Sequence, residues 1–503
     1  MSFGEGFSNS RQVIPRWHTY PLARWLGVIT TPSKNGPPLA ISNEFSEKIE
    51  SWKTERSLLH ASDLIGNALL LNHFDNAEAL EAASFILNNK SIGTSSVTEL
   101  AESFVRLAEK KGFPLPHVIL PEHTAQFHEV ISSLKRRVRD YPRNPILWMD
   151  LAFYYCAVGQ THPAESAVKV ALSLNKENRY LLRSGSRFFM HLGSPDVALD
   201  FLRKSNTGKH DPWLIAAEIA ISDTLDRPSK RIKAGQDLIA NSNIPKFHLS
   251  ELAGALGTVE LIKGSLRRGK KLFTLALEDP TENTLAQAAF LDNLLLESSR
   301  HIDPEKLANS FEAETRFKFT QTHDYKGALE AAQKWFAYQP FSSRPAVAGS
   351  YIAGVALEDY EVSAKIAKMG LLSSPHEPLL INNLAFALAS LGRINDARRA
   401  LCCLKDFDIS KREQNVLTAT RALIEYRSNN TEEGRKLYDS AISGFKQLKD
   451  FRSEIIARFY RLKEELMIKP NQGEEQLEDL LKEAKQLGID ELQFKMFERR
   501  LVP

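Results

Sequence analysis

Apolar residues recur at three- and four-residue steps through most of the 503-residue chain, and this spacing predicts amphipathic helices rather than strands. One clear example carries Leu252, Leu256, Val259 and Ile262 on a single helical face. Glycine interrupts the pattern at Gly264, and a second helical pattern follows directly. The sequence therefore predicts two antiparallel helices joined here by a glycine turn.

The same helix–turn–helix pattern returns at intervals of about 34 residues. In residues 145–178, a first apolar face ends at Gly159 and an alanine-rich second face follows, which lets the two helices approach closely. The next copy repeats the scheme, with Gly193 at the break. Further full or partial copies lie at residues 250–283, 309–342, 343–377, 378–408 and 415–446.

These residues resemble the tetratricopeptide repeat, a helix–turn–helix unit of about 34 residues with Trp, Leu, Gly and Tyr in its first helix and a late proline. The resemblance covers roughly residues 145–446, although Ala152 replaces the first-helix glycine and Lys176 the late proline. It implies an all-α, right-handed α-solenoid of helix-turn-helix repeats. It also implies that the first helices line a concave groove, which in this family commonly takes peptides or helices from other proteins.

The repeat pattern predicts four segments. Residues 1–42 form an irregular arm, residues 43–140 degenerate helical repeats and residues 141–446 the solenoid. Residues 447–503 are charged amphipathic helices, and a polar final helix suits the end of an open helical stack.

The N-terminal arm is rich in proline and also carries Trp17, Tyr20 and Trp25. Disordered tails are poor in aromatic residues, so we expect this arm to dock. It docks either against its own solenoid or into a partner, which includes a second copy of the protein. The three aromatic residues are therefore candidate partner contacts.

A second set of candidate partner contacts lies in the helix that begins at Arg179. Arg183, Arg187 and His191 are spaced four apart and so form a stripe on one face of that helix. Their projection into the groove is implied by the family resemblance and not by the spacing. Two arginines can clamp a carboxylate or phosphate through bidentate hydrogen bonds. The alternative is an ordinary solvated charged face.

The net charge of +3 gives the chain no overall preference for nucleic acid or membranes. Residues 131–300 alone carry +6, which leaves a nucleic-acid-binding solenoid open as an alternative. Aromatic residues for base stacking are not interleaved with the basic groups, which argues against that alternative. The basic groups lie at residues 135–139, 203–209, 227–233 and 263–271.

Motifs of catalysis or metal binding are missing from the sequence. Residues 264–271 approach a P-loop, but Lys271 stands where Mg²⁺ needs a hydroxyl, and a helix rather than a strand precedes the first glycine. Cys156, Cys402 and Cys403 form no C-x-x-C pair, and we expect them to be reduced thiols in the core. The chain is therefore predicted to be no enzyme and to need no cofactor or metal.

Binding another protein is the function that these features favour. We expect a non-enzymatic scaffold or adaptor that holds a partner protein in the solenoid groove. An alternative is a regulatory or sensing subunit of a multi-protein complex, such as a prokaryotic defence or toxin-control complex with a separate effector enzyme. The sequence shows neither a secretory signal nor an apolar run of the roughly 18 residues that a membrane helix needs, so a cytoplasmic location is expected.

Overall fold

The computed structural model of the chain is all-α, and no described residue lies in a β-strand. The described residues fall into two compact units, an N-terminal unit that ends at Ser310 and a C-terminal unit that begins at Phe311. The structure describes residues 14–25, 29, 43–71, 73–93, 95–108, 124–241, 244–291, 310–404, 409–469 and 474–486.

In the N-terminal unit, helices that are neighbours along the chain pack against each other as antiparallel pairs. The short α1 interrupts the arm that was predicted to be irregular, and Pro21 is tolerated in its first turn because the amide hydrogen there has no helical partner. The helices are α1 (Tyr20–Trp25), α2 (Asn43–Thr54), α3 (Leu58–Leu71), α4 (Ala77–Asn88), α5 (Ser95–Ala108), α6 (Thr124–Asp140), α7 (Pro145–Ala157), α8 (Thr161–Leu174), α9 (Arg179–His191), α10 (Pro195–Lys204), α11 (Pro212–Thr224), α12 (Ile232–Asn241), α13 (Lys246–Ile262), α14 (Leu266–Ala276) and α15 (Glu282–Phe290).

The C-terminal unit continues the scheme of paired helices. Two of its helices, α16 and α18, run into π-helical turns at Lys318–Thr322 and Ile352–Ala356. The helices are α16 (Phe311–Phe317), α17 (Tyr325–Tyr338), α18 (Ser343–Tyr351), α19 (Tyr360–Ser373), α20 (Pro378–Ser390), α21 (Ile394–Cys402), α22 (Lys411–Arg427), α23 (Thr431–Gln447), α24 (Phe451–Ile468) and α25 (Glu474–Gln486). The predicted all-α fold of helix–turn–helix repeats is confirmed.

A residue in the left-handed conformation ends the first helix of many pairs. Gly159 and Gly193, which are 34 residues apart, have φ values of 74° and 69°. The residue after each glycine donates its amide hydrogen back across the turn, from Gln160 to the Tyr155 carbonyl and from Ser194 to the Phe189 carbonyl, both at 2.8 Å. These bonds satisfy carbonyl groups that a helix end leaves without partners. The 34-residue period of the sequence therefore also appears in the backbone conformation of these turns.

The P-loop-like glycines take the places that the repeat predicts. Gly264 has a φ of 84° and lies in the turn between α13 and α14. Gly269 lies inside α14, where an added Cβ would come within 2.5 Å of Leu261 and 3.2 Å of the Gly257 carbonyl. Because a helix precedes Gly264 and Gly269 is a helix contact, these residues do not form a P-loop.

The cysteines match the prediction only in part. Cys156 is buried, and burial raises the pKa of its thiol to about 12. Cys402 and Cys403 are exposed, so the prediction that they are core thiols is wrong. They lie at the end of α21, where Ala397 and Leu401 take the buried face and leave the last residues on the surface.

Candidate partner-binding surfaces

In the N-terminal unit, the first helices of successive pairs pack side by side, from α7 through α9, α11 and α13 to α15. The arm crosses this layer of helices. Residues 14–19 run without regular secondary structure and lead into α1. We call the surface that holds the arm the arm groove; its residues are Leu69, Asp150, Phe153, Tyr180, Phe188 and Glu282.

Trp17 anchors the arm in an aromatic slot. Its side chain is fully buried and meets Phe153 of α7 and Phe188 of α9 edge to face, at ring-centroid distances of 5.3 Å and 5.9 Å. Such aromatic pairs add to the hydrophobic gain of burying a large ring. The indole therefore ties two successive first helices to the arm.

Hydrogen bonds hold the arm at the residues that follow Trp17. The Tyr20 amide donates to Asp150 Oδ1 at 2.8 Å, and the Tyr20 hydroxyl donates to the Leu69 carbonyl at 2.5 Å. The Tyr180 hydroxyl lies 3.1 Å from the His18 carbonyl and 3.2 Å from Asp150 Oδ1. Burial raises the pKa of Asp150 to about 6, although the bonds from Tyr20 and Tyr180 act to lower it.

Glu282 of α15 contacts two basic side chains of the arm. Its Oε1 lies 2.5 Å from His18 Nε2, and its Oε2 lies 3.8 Å from Arg16 Nη1. Burial alone would raise the pKa of Glu282, but His18, Arg16 and Arg183 together lower it to about 2. The arm groove therefore ends in a carboxylate that stays ionised at neutral pH.

The predicted arginine stripe lies beside the arm groove and is partly engaged inside the chain. Arg183 is 5% exposed, bonds through Nη2 to Glu251 at 3.0 Å, and holds its guanidinium 4.5 Å from the centre of the Trp213 ring. The guanidinium of Arg183 is therefore paired inside the chain, and a contact between Arg183 and a partner stays a prediction. Arg187 and His191 are half-buried, and their partner contacts stay a prediction.

The predictions for the three aromatic residues of the arm have different outcomes. Trp17 and Tyr20 contact their own chain, which is the first of the two predicted docking modes. Trp25 ends α1, but its side chain lies outside the described part of the structure.

The first helices of the C-terminal unit form an equivalent layer, in which α18, α20, α22 and α24 pack side by side. A cavity of about 60 Å³ opens on it. Four half-buried apolar residues line the cavity, one from each of α20, α22 and α24 and one from the π-helical turn after α18. We call them the apolar row; they are Val355, Phe386, Ala419 and Ile456.

Two neighbouring asparagines supply the polar part of this cavity. Asn382 Oδ1 accepts a hydrogen bond from the Thr420 hydroxyl at 2.7 Å, and Asn383 Nδ2 donates to Ser350 Oγ at 2.9 Å. Within the described residues, Asn382 Nδ2 and Asn383 Oδ1 have no hydrogen-bond partner. A donor and an acceptor are therefore left at one cavity, the pair of groups that a peptide bond complements.

No family model and no curated protein sequence matches the chain. Among solved structures, one similar chain belongs to a structure described as Naa15/Naa10 bound to HypK-THB. It is 13% identical, and the match covers 87% of this chain and 79% of that chain, with a TM-score of 0.25. A likeness of this size establishes neither a family nor a function.

The described part of the chain holds neither a metal-binding cluster nor a membrane-spanning helix. No group of three or more His, Cys, Asp or Glu side chains there is arranged to hold a metal ion. None of the described helices is long and apolar enough to span a membrane.

Proposed function

We propose that this protein is a non-enzymatic scaffold that binds an extended segment of a partner protein along the apolar row of its C-terminal unit. One observation carries the proposal: the corresponding layer of helices in the N-terminal unit already holds an extended polypeptide segment, the arm. Trp17 fills a slot between two first helices there, and the Tyr20 amide and the His18 carbonyl each have a side-chain hydrogen-bond partner.

The C-terminal cavity indicates the chemistry of the bound segment. Its volume of about 60 Å³ suits an aliphatic side chain better than an indole. Asn382 and Asn383 offer a free donor and a free acceptor beside it, so a backbone amide can bind next to the anchoring side chain. The occupant is therefore an extended, largely uncharged segment with an aliphatic anchor.

The test uses the full-length chain in its native host. A photo-crosslinking amino acid at Phe386 captures whatever lies over the apolar row, and mass spectrometry identifies the captured peptide. We expect one protein whose crosslinked segment is extended and carries an aliphatic residue.

Two matched variants show whether capture depends on the cavity. Ala419→Glu places a charge in the apolar row and should lower capture at least about tenfold, because an unpaired charge in an apolar site costs more than 1.4 kcal/mol. Ser440→Glu adds the same charge to an exposed position on α23 and should leave capture unchanged. Equal capture by both variants, or catalytic turnover by the purified chain alone, contradicts the proposal.

A further inference from the structure

The arm is attached to the N-terminal unit in a way that permits its release. Residues 14–19 belong to no helix and no sheet, and α1 is only six residues long. The arm is held by side-chain packing and isolated hydrogen bonds, so its departure unwinds none of the helix pairs beneath it. Segments that lack a hydrogen-bonded ladder open locally more easily than the body of a fold.

We propose that the arm groove is a polypeptide-binding site in its own right, that residues 16–20 are its resident and exchangeable ligand, and that it takes from another polypeptide an extended segment with an indole flanked by basic groups. This site is separate from the apolar row. Its occupant is defined by the arm itself, whose order of side chains is Arg16, Trp17, His18, Thr19 and Tyr20.

Charge complementarity sets the class of ligand. Glu282 lies beside the two basic side chains of the arm, His18 and Arg16, whereas Asp150 accepts a hydrogen bond from the Tyr20 backbone amide. The slot between Phe153 and Phe188 fits one flat ring edge-on. An acidic segment would meet repulsion from the ionised Glu282, whereas a segment with basic groups beside its aromatic anchor gains the contacts that His18 and Arg16 now make.

Any added segment must compete with the resident arm for the arm groove. Being part of the same chain, it competes at an effective concentration on the order of millimolar. An entering segment with the same side chains reuses the same contacts, so exchange changes the total free energy little. Weakening the arm without altering the groove should therefore raise the affinity for a peptide added from outside.

The binding test uses full-length protein and a labelled synthetic peptide with the sequence of residues 14–25. Trp17→Ala and His18→Ala each weaken the resident arm and leave the groove side chains in place. We expect both variants to bind the peptide at least about tenfold more tightly than the unaltered chain. A peptide with alanine in place of the first tryptophan should lose this binding.

Control measurements separate exchange from unfolding. Trp335→Ala truncates a buried indole in the C-terminal unit and should leave peptide affinity at the level of the unaltered chain. Circular dichroism shows whether each variant keeps its helices, and His18→Ala keeps the test valid if Trp17→Ala does not fold. Equal peptide affinity for the unaltered chain and a folded arm variant, or binding by neither, overturns the proposal.

Hydrogen exchange provides a second readout on the unaltered chain. The Tyr20 amide, which is hydrogen-bonded to Asp150, should exchange at least about tenfold faster than the amides in the middle of α7, because the arm opens while the helices stay folded. If it exchanges only at the rate of α7, the arm is a permanent part of the core and the proposal fails. Neither result affects the test at the apolar row, which uses other residues.

Discussion

The two units differ in what lies on their first helices. In the N-terminal unit the arm fills the layer, and Trp17 is fully buried there. In the C-terminal unit the same layer opens into a cavity, and Phe386 at its rim is only half-buried. One scheme of paired helices therefore supports both a filled and an open surface.

The chemistry of the two surfaces differs as well. Carboxylates at Asp150 and Glu282 bound the arm groove, whereas uncharged amides at Asn382 and Asn383 bound the apolar row. The helix repeat thus sets where a polypeptide can lie, and the side chains on the first helices select which polypeptide it is. The two surfaces should respond differently to truncation and to pH.

Truncating the aromatic residue of each surface should give the largest contrast. Trp17→Ala removes a fully buried ring and should lower the free energy of unfolding of the N-terminal unit by about 3–5 kcal/mol, whereas Phe386→Ala removes a half-buried ring and should cost about 1–2 kcal/mol. Denaturant titration with helix content as the signal measures both. Equal losses would mean that the two surfaces are filled to the same extent, which contradicts the contrast between them.

A change of pH should affect the arm groove through Asp150. Folding raises the pKa of this carboxyl from 3.8 to about 6, so the folded state binds the extra proton. Stability from this group is therefore present at low pH and falls as the pH rises from about 4 to about 6, by at most about 1.4 kcal/mol per pH unit. Asp150→Asn, which keeps an acceptor for the Tyr20 amide, should remove that fall.

Folding shifts the pKa of Glu282 in the opposite direction, so this group serves as the internal control. Its pKa falls from 4.5 to about 2 on folding, so its contribution is present above about 4.5 and is lost at lower pH. The window between pH 4.5 and 6 therefore reports on Asp150 without Glu282. Urea titrations across this window compare the unaltered chain with Asp150→Asn, and identical slopes would show that Asp150 is not the responsible group.

The helix pairs could be predicted from the sequence because each pair arises from a local pattern of residues. Apolar spacing and Gly264 together predict α13, its turn and α14, and the structure confirms them. The exposure of Cys402 and Cys403 was not predicted. At the end of a helix, the residue next to a buried one can be exposed, and the spacing of apolar residues does not show where burial ends.

The arm groove was less accessible to sequence reasoning. Aromatic content alone predicted that Trp17 and Tyr20 dock, but their acceptors are distant in the chain: Asp150 lies 130 residues from Tyr20, and Glu282 lies 264 residues from His18. Spacing also placed Arg183 on a helix face without showing that Glu251 lies opposite it. Contacts between such distant residues depend on how successive pairs stack, which a single sequence does not encode in its local pattern.

Substitutions in the turns should give the smallest changes in stability, and they can be made in both units. Gly159 in the N-terminal unit and Lys449 in the C-terminal unit both have positive φ, at 74° and 56°. In this conformation a lysine is strained by roughly 1–2 kcal/mol. Glycine avoids that strain but loses more conformational entropy on folding, so the net advantage of glycine is smaller than the strain.

Lys449→Gly should therefore stabilise the C-terminal unit by about 0.5–1 kcal/mol, and Gly159→Lys should destabilise the N-terminal unit by a similar amount. Thermal unfolding of the two variants measures both changes. Because neither residue belongs to the arm groove or the apolar row, peptide binding and crosslinking should be unchanged. A shift in either would mean that the turns help to shape the surfaces, and that the difference between the units does not lie in their first-helix side chains alone.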